Sequence, residues 1–303
     1  EALSFPQFTD WVDSGEVGYL GYLSDHRKTI RQDLKLLFAP AQSALVFLFS
    51  YEHFKKEESN FYHETSGLKM GGSVLAWGGG DYHQAVGEAL AKIAQKIKES
   101  YPQMEIFPCV DTAPVLERDL AYRAGLGWFG KNSLMIHPQK GSFTIIGSLI
   151  LSQKLELPVR PRIEDHCGKC QRCAQGCPTK AIDPESRTLN VRRCIGAYTI
   201  ELFKRATPPE GFEKNRGYIF GCDICQEVCP WNRESKNAAE NAPMAFNQEF
   251  KVFFFNRPLL DIIADIEKMS NREFKRKFMG TMLERTGREG VLKNLMANLT
   301  IRN

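Results

Sequence analysis

The chain has 303 residues, of which 43% are hydrophobic and 25% are charged, and its formal net charge is +4. This composition is that of a folded globular protein and excludes a disordered or collagen-like chain. The longest uninterrupted apolar run, Ala44 to Phe49, has six residues, which is far too short to span a bilayer as a helix.

Strands and helices are predicted to alternate over the first half of the chain. Four strands are expected, at 44–51, 105–110, 133–136 and 142–151. Two helices are expected, at 84–99 and 112–124. Asp111 stands between the second strand and the second helix. This order predicts an α+β fold in which an α/β sheet domain precedes a cysteine-rich segment.

Glycine-rich segments flank two groups of polar residues. The segment 125–130 fits G-x-G-x-x-G, but it follows a helix rather than a strand, which disfavours a Rossmann nicotinamide site. The next three residues, 131–133, are Lys, Asn and Ser, which could hold a phosphate or a large polar cofactor through amide and ammonium groups. Gly78–Gly80 is a second flexible loop and precedes the tripeptide Asp81-Tyr82-His83.

Eight of the nine cysteines lie between Cys167 and Cys229. In a chain that opens with no secretion leader, clustered cysteines indicate metal binding rather than disulfides. The first group starts at Cys167 and has the C-x2-C-x2-C-x3-C-P spacing of a bacterial ferredoxin. The second group starts at Cys222 with C-x2-C-x3-C-P, and Cys194 is its upstream partner. The ninth cysteine, Cys109, is expected to be a buried small hydrophobic residue.

The ferredoxin spacing predicts two 4Fe–4S clusters that exchange their fourth ligands, because the cysteine before the proline ligates the other cluster. The first predicted ligand set is Cys167, Cys170, Cys173 and Cys229. The second set is Cys177, Cys194, Cys222 and Cys225. Zinc, which also accepts four thiolates, is the alternative metal.

Basic residues are concentrated at the C-terminal end. From Lys268 to Asn303 there are nine Lys or Arg residues and three Glu residues, a net charge of +6. Such a stretch is typical of phosphate binding, although a solvated helix face has the same composition.

Three segments together resemble the epoxyqueuosine reductase family. They are VDTAPVLER at 110–118, GLGWFGKN at 125–132, and the two cysteine motifs that end in CPWN at 229–232. The resemblance runs from about Leu20 to Leu299. It implies a cobalamin-dependent enzyme that performs the last step of queuosine synthesis on tRNA. It also implies a nitroreductase-like sheet domain and a ferredoxin-like domain whose first cluster lies beside the corrin.

The same resemblance implies roles for individual residues. Epoxide reduction needs a two-electron reductant, which Co(I) would supply, and an acid of raised pKa that protonates the leaving oxygen. Asp111 matches the family's proton donor and cobalamin neighbour, and its alternative role is to cap the following helix. The other expected cobalamin contacts are Trp77, Tyr82, Lys131, Asn132, Ser133, Met135 and His137. The expected tRNA contacts are Arg187, Arg192, Arg205, Lys275, Arg276 and Lys277.

Three regions are expected, a cobalamin-binding catalytic domain at 1–157, a ferredoxin-like domain at 158–240 and a short helical tail at 241–303. The resemblance implies a cytoplasmic monomer that binds tRNA and an unidentified electron donor, without a membrane. One departure from the family is Gly80, since a basic residue commonly precedes the D-Y-H tripeptide. The alternatives are a corrinoid reductase of a small organic substrate and a non-catalytic electron-transfer or cobalamin-handling protein. The basic C-terminal stretch favours tRNA over a small substrate, and the Asp111 segment favours an enzyme.

Overall fold

The computed structural model describes residues 1–52, 54, 65–156, 160–203, 206–232 and 247–301. The two expected domain boundaries, after 157 and after 240, fall outside these residues. None of the described helices is long and apolar enough to cross a membrane.

The described residues form short strands and mostly short helices. The strands are β1 (Ser43–Ser50), β2 (Lys69–Met70), β3 (Ile106–Cys109), β4 (Trp128–Phe129), β5 (Met135–Ile136), β6 (Thr144–Leu151), β7 (Ile182–Asp183), β8 (Thr188–Leu189) and β9 (Tyr218–Phe220). The α-helices are α1 (Phe5–Asp13), α2 (Arg27–Ile30), α3 (Gly72–Leu75), α4 (Tyr82–Ser100), α5 (Glu117–Arg123), α6 (Arg172–Gly176), α7 (Ile195–Glu201), α8 (Ile224–Glu227), α9 (Gln248–Phe255), α10 (Leu259–Lys268), α11 (Asn271–Lys277) and α12 (Leu283–Thr300). This mixture confirms the α+β class, whereas the nitroreductase-like description stays a prediction.

The main sheet has three antiparallel strands in the order β1-β6-β3. Leu149, Ile150 and Leu151 of the central strand β6 are fully buried. The sequence predicts a buried strand at β1, but β1 is an edge strand and all its residues are only partly buried. Helix α4 covers one face of the sheet, where Val86 and Leu90 pack against Leu149.

Two helix starts position the residues around Asp111. The Asp81 carboxylate accepts the backbone N–H of His83 at 2.9 Å and so caps α4 at its N-terminus. Helix α5 begins at Glu117, later than predicted, because Pro114 disfavours helical backbone at the residue before it. Asp111 does not cap α5, since the cap position is Leu116 and no side chain bonds there. The alternative role of Asp111 as a helix cap is therefore wrong.

The three expected regions contact one another. Strand β2, from the first region, pairs in parallel with β9 of the cysteine-rich region, and the Trp11 indole donates to the Leu189 carbonyl at 2.9 Å. The main core likewise includes Phe254 and Leu295 from the C-terminal helices. The C-terminal region is therefore part of the principal core rather than a tail.

Candidate active site and cluster-binding cysteines

Asp111 lies at the centre of a hydrogen-bonded network at the end of β3. Its Oδ2 atom accepts the Tyr82 hydroxyl at 2.9 Å and lies 3.3 Å from His83 Nε2. His83 Nδ1 lies 2.6 Å from Asp81 Oδ1 on its other side. The backbone of Asp111 has a φ of 53°, a left-handed conformation that is uncommon outside glycine and common at functional sites. The left-handed turn at Asp111 and the start of α4 thus bring together four residues, which we call the Asp111 network: Asp81, Tyr82, His83 and Asp111.

The network sets the protonation states of its members. The hydrogen bond from His83, aided by the one from Tyr82, lowers the pKa of Asp111 below its ordinary value, although burial opposes the shift. Burial would lower the pKa of His83, but its bonds to Asp111 and Asp81 outweigh this effect and raise the pKa. The expected raised pKa of Asp111 is therefore wrong, and His83 is the better proton store.

Glu117 is a further acid beside this network. Its Oε1 atom accepts the backbone N–H of Asp111 at 2.9 Å, which helps to hold the left-handed turn. Burial, with the nearby Asp111 charge, raises the pKa of Glu117 to about 7. Sequence reasoning missed Glu117 because no spacing rule links it to Asp111.

Asp111 opens into a cavity of about 970 Å³, and its side chain is 57% exposed there. Other walls of the cavity come from Asn132, Ser133, Arg187, Cys194 and Glu201. This volume is at the upper end of the range for ligand pockets, which suits a large cofactor. The buried amide Nδ2 of Asn132 has no hydrogen-bond partner among the described residues and is free for such a ligand.

Five of the eight expected cobalamin contacts, including Tyr82, are not among the described residues that line this cavity. Trp77 is half-buried against the main core, and Met135 is buried in β5. The Lys131 ammonium donates to a backbone carbonyl of the cysteine-rich segment at 2.8 Å. His137 Nδ1 accepts backbone N–H groups of 139–140 at 3.0 and 3.1 Å. Of the expected set, the structure brings Asn132 and Ser133 into the cavity beside Asp111 and bonds Tyr82 to Asp111.

In the first predicted set, electrostatic coupling links cysteines of both sequence motifs. Burial raises the pKa of Cys229, and the Cys167 and Cys170 thiols raise it further. Burial also raises the pKa of Cys173, with additional contributions from Cys229 and Cys167. Cys229 thus lies near the other three members of this set, although it belongs to the second motif.

In the second predicted set, Cys177 of the first motif is coupled to the cysteines of the second motif. Burial raises the pKa of Cys222, and the Cys194 and Cys177 thiols add to the rise. Cys225 is shifted in the same direction by burial and by Cys222, Cys194 and Cys177. Cys177 also accepts the backbone N–H of Ala181 at 3.3 Å, the kind of bond that stabilises a ligand thiolate. Cys194 lines the cavity and no described member of the first set does, so of the two sets it is the second that adjoins the cavity.

The expected tRNA contacts lie in three different settings. The Arg187 guanidinium pairs with Asp165 at 2.7 Å and lines the cavity, so it is engaged within the protein. Arg192 is exposed, and Arg205 lies outside the described residues. Lys275, Arg276 and Lys277 are exposed in the last turn of α11.

The basic turn of α11 leads directly to the Asp111 network. The Gly280 carbonyl, which follows α11, accepts the backbone N–H of Asp81 at 3.0 Å, and Thr281 forms a β-bridge with Gly80. Further on, Arg285 pairs with Glu201 at 2.7 Å, and its charge helps to lower the pKa of Asp111. Arg285 therefore supplies a cation near the site.

Comparison with known proteins agrees with this architecture. A family model described as 4Fe-4S double cluster binding domain matches residues 166–232. A second model, Epoxyqueuosine reductase QueG, DUF1730, matches residues 31–112. Fold and cysteines together define an iron–sulfur protein with two 4Fe–4S cluster sites fused to an α+β domain.

Similarity to whole proteins is more specific. The chain is 34% identical to the epoxyqueuosine reductase of Cyclobacterium marinum over 96% of this chain and 86% of that protein. It is 32% identical to the Escherichia coli enzyme of the same name over 98% of this chain and 74% of that protein. The chain belongs to the epoxyqueuosine reductase family.

A solved structure extends the similarity to the fold. A crystal structure of epoxyqueuosine reductase with a tRNA-Tyr epoxyqueuosine-modified tRNA stem loop superposes with a TM-score of 0.75 at 25% identity. The match covers 99% of this chain and 75% of that chain.

Proposed function

We infer that the protein reduces epoxyqueuosine to queuosine in tRNA, with electrons delivered through two 4Fe–4S clusters. Removal of the epoxide oxygen as water requires two electrons and two protons. The observation that carries the proposal is that Asp111 and Cys194 line the same cavity. The same cavity therefore offers a proton source and adjoins an electron source, which is the combination that reductive deoxygenation needs.

Cobalamin is the proposed cofactor of this cavity. When bound, it supplies the two-electron cobalt chemistry that no side chain offers. The residues present fit such a group, because the cavity is large and the Asn132 amide has a free donor. Ser133, whose hydroxyl already donates to the Arg187 carbonyl at 2.6 Å, fixes the neighbouring loop. We assign Asn132 and Ser133 to cofactor binding.

Asp111 is the proposed catalytic residue and delivers the proton from its network. His83 holds its proton more tightly than a free imidazole because two carboxylates flank it, and it can pass that proton to Asp111 across 3.3 Å. Asp81 stabilises the imidazolium while the proton is stored. As negative charge develops on the leaving oxygen, transfer from Asp111 becomes favourable and His83 restores the proton.

The proposed cluster ligands are the two exchanged sets. Two pKa shifts support this assignment. Cys167 and Cys170 of the first motif raise the pKa of Cys229, and Cys177 raises the pKa of Cys222 in the second motif. Because Cys194 lines the cavity, the cluster of the second set is the last carrier before the cofactor. The cluster of the first set then receives electrons from an external donor.

The direct test is turnover under anaerobic conditions. Protein reconstituted with iron, sulfide and cobalamin should convert epoxyqueuosine in tRNA when a low-potential donor is supplied. The free epoxyqueuosine base is the matched substrate, and equal turnover of it would favour the small-molecule alternative. Stoichiometric zinc without acid-labile sulfide in anaerobically prepared protein would contradict the proposal.

A second prediction concerns the basic turn of α11. Replacing Lys275, Arg276 and Lys277 together by Gln should weaken tRNA binding, because three phosphate contacts are lost. The slope of log K against log salt should fall in magnitude by roughly two to three. Titration of tRNA at several salt concentrations measures this slope, and cobalamin affinity should not change.

A matched control removes the same charge from another helix. Lys92, Lys96 and Lys98 are exposed toward the far end of α4, away from its active-site start. Their replacement by Gln should leave the salt slope unchanged. An unchanged slope in the α11 variant, or an equal loss in both variants, would show that α11 is only a solvated helix.

A further inference from the structure

Trp128 links the sheet domain to the first set of cysteines. Its side chain is 1% exposed, and its indole Nε1–H donates to Cys167 Sγ at 3.4 Å. A buried indole N–H needs an acceptor, because leaving it unpaired costs free energy. The sulfur of Cys167 is the acceptor that the structure provides.

Aromatic neighbours hold this indole in place. The Trp128 ring packs edge-on against Trp231 at a centroid distance of 4.9 Å and against His166 at 5.1 Å. His166 and Trp231 flank Cys167 and Cys229, which both belong to the first set. The direction of the N–H group is therefore set by packing around the first cluster site.

We propose that the Trp128 indole N–H raises the reduction potential of the cluster held by Cys167, Cys170, Cys173 and Cys229. This inference rests on the ligand sets of the proposed function. One-electron reduction adds a negative charge to the cluster, and an N–H group that points at a ligand sulfur stabilises that charge. Trp128 is thus a positioning residue that sets how readily the first cluster accepts an electron.

The test is a redox titration of reconstituted Trp128→Phe, followed by electron paramagnetic resonance. At a fixed potential, the ratio of reduced to oxidised first cluster should fall by up to about tenfold, which is about 59 mV for a one-electron couple. The second cluster should keep its potential. Trp231→Phe is the matched control, because phenylalanine keeps an aromatic ring against Trp128 and no described hydrogen bond joins the Trp231 indole to a cysteine sulfur, so its first cluster should titrate as in the wild type.

The outcomes separate this inference from the proposed function. With both cluster signals present, an unchanged potential in Trp128→Phe, or an equal shift in Trp231→Phe, overturns the role of the N–H group. Absence of two 4Fe–4S signals in the wild type overturns the ligand assignment instead. If Trp128→Phe does not retain its first cluster, the role of the N–H group is tested instead in Trp231→Phe protein that carries ¹⁵N-labelled tryptophan and still contains Trp128. Pulsed resonance of the reduced first cluster should then show coupling to an indole nitrogen, and its absence contradicts the proposal.

Discussion

Replacement of Asp111 by Asn is expected to lower turnover by roughly 10²- to 10⁴-fold, the usual contribution of a positioned general acid. The substitution is nearly isosteric, so the fold and both clusters should be retained. The amide cannot accept a proton from His83 and pass it to the leaving oxygen. Single-turnover assays on epoxyqueuosine tRNA, with cobalamin reduction followed separately, place the defect at the protonation step.

Glu201→Gln is the control for loss of charge in the Asp111→Asn experiment. It removes a carboxylate from the same cavity that has no described hydrogen bond to the Asp111 network, and its loss of turnover should be much smaller. Similar losses in both variants would indicate an electrostatic effect on the cofactor rather than proton transfer. Near-normal turnover of Asp111→Asn would exclude Asp111 as the acid, and the hydroxyl of Tyr82 would be the next candidate.

The pH profile gives an independent check on the same network. The pKa of His83 is raised, so its proton is kept to a higher pH than in a free imidazole and is lost as the pH rises through that pKa. Turnover should therefore fall on the alkaline side. In Asp81→Asn one of the two carboxylates that hold the proton is neutralised, and the alkaline limb should move to lower pH. An unmoved limb would show that His83 is not the proton store.

Two separate cysteine variants within the first motif are expected to lose different clusters. Cys173→Ala should remove or damage the first cluster, whereas Cys177→Ala should damage the second. In either variant, iron should fall from about eight to about four atoms per chain if the whole cubane is lost. Electron paramagnetic resonance of the reduced proteins identifies which signal disappears.

Cys109→Ala serves as the control for these variants. Cys109 is 1% exposed in a separate apolar cluster, so its removal should leave both signals and the iron content intact. If Cys177→Ala instead lost the same signal as Cys173→Ala, each motif would bind its own cluster. The exchanged sets would then be wrong.

Local patterns account for what the sequence predicts well. The cysteine spacing indicated two 4Fe–4S clusters, and the matching family model supports them. The strands at 44–51 and 142–151 and the long helix at 84–99 are confirmed within a residue or two, because each has a clear apolar period. The position of Asp111 at a strand end was also predicted, since an apolar run stops just before it.

Long-range contacts explain what the sequence does not reveal. The lowered pKa of Asp111 depends on His83, which belongs to another element, and no local rule joins the two residues. Glu117 and Arg285 reach the site only through the folded chain. The edge position of β1 is likewise a property of the sheet order, because an apolar run alone does not distinguish a central strand from an edge strand.

The participation of the C-terminal helices in the main core has a consequence for biogenesis. Leu68 and Ile219 are buried in one cluster with Phe254 and Leu295, so this core is complete only after α12 has left the ribosome. All eight motif cysteines are synthesised before that moment. We therefore expect the nascent chain to present its thiols in an open state, in which cluster assembly precedes closure. A folding order of this kind makes metallation a step of chain maturation and ties the yield of folded protein to the supply of iron and sulfide.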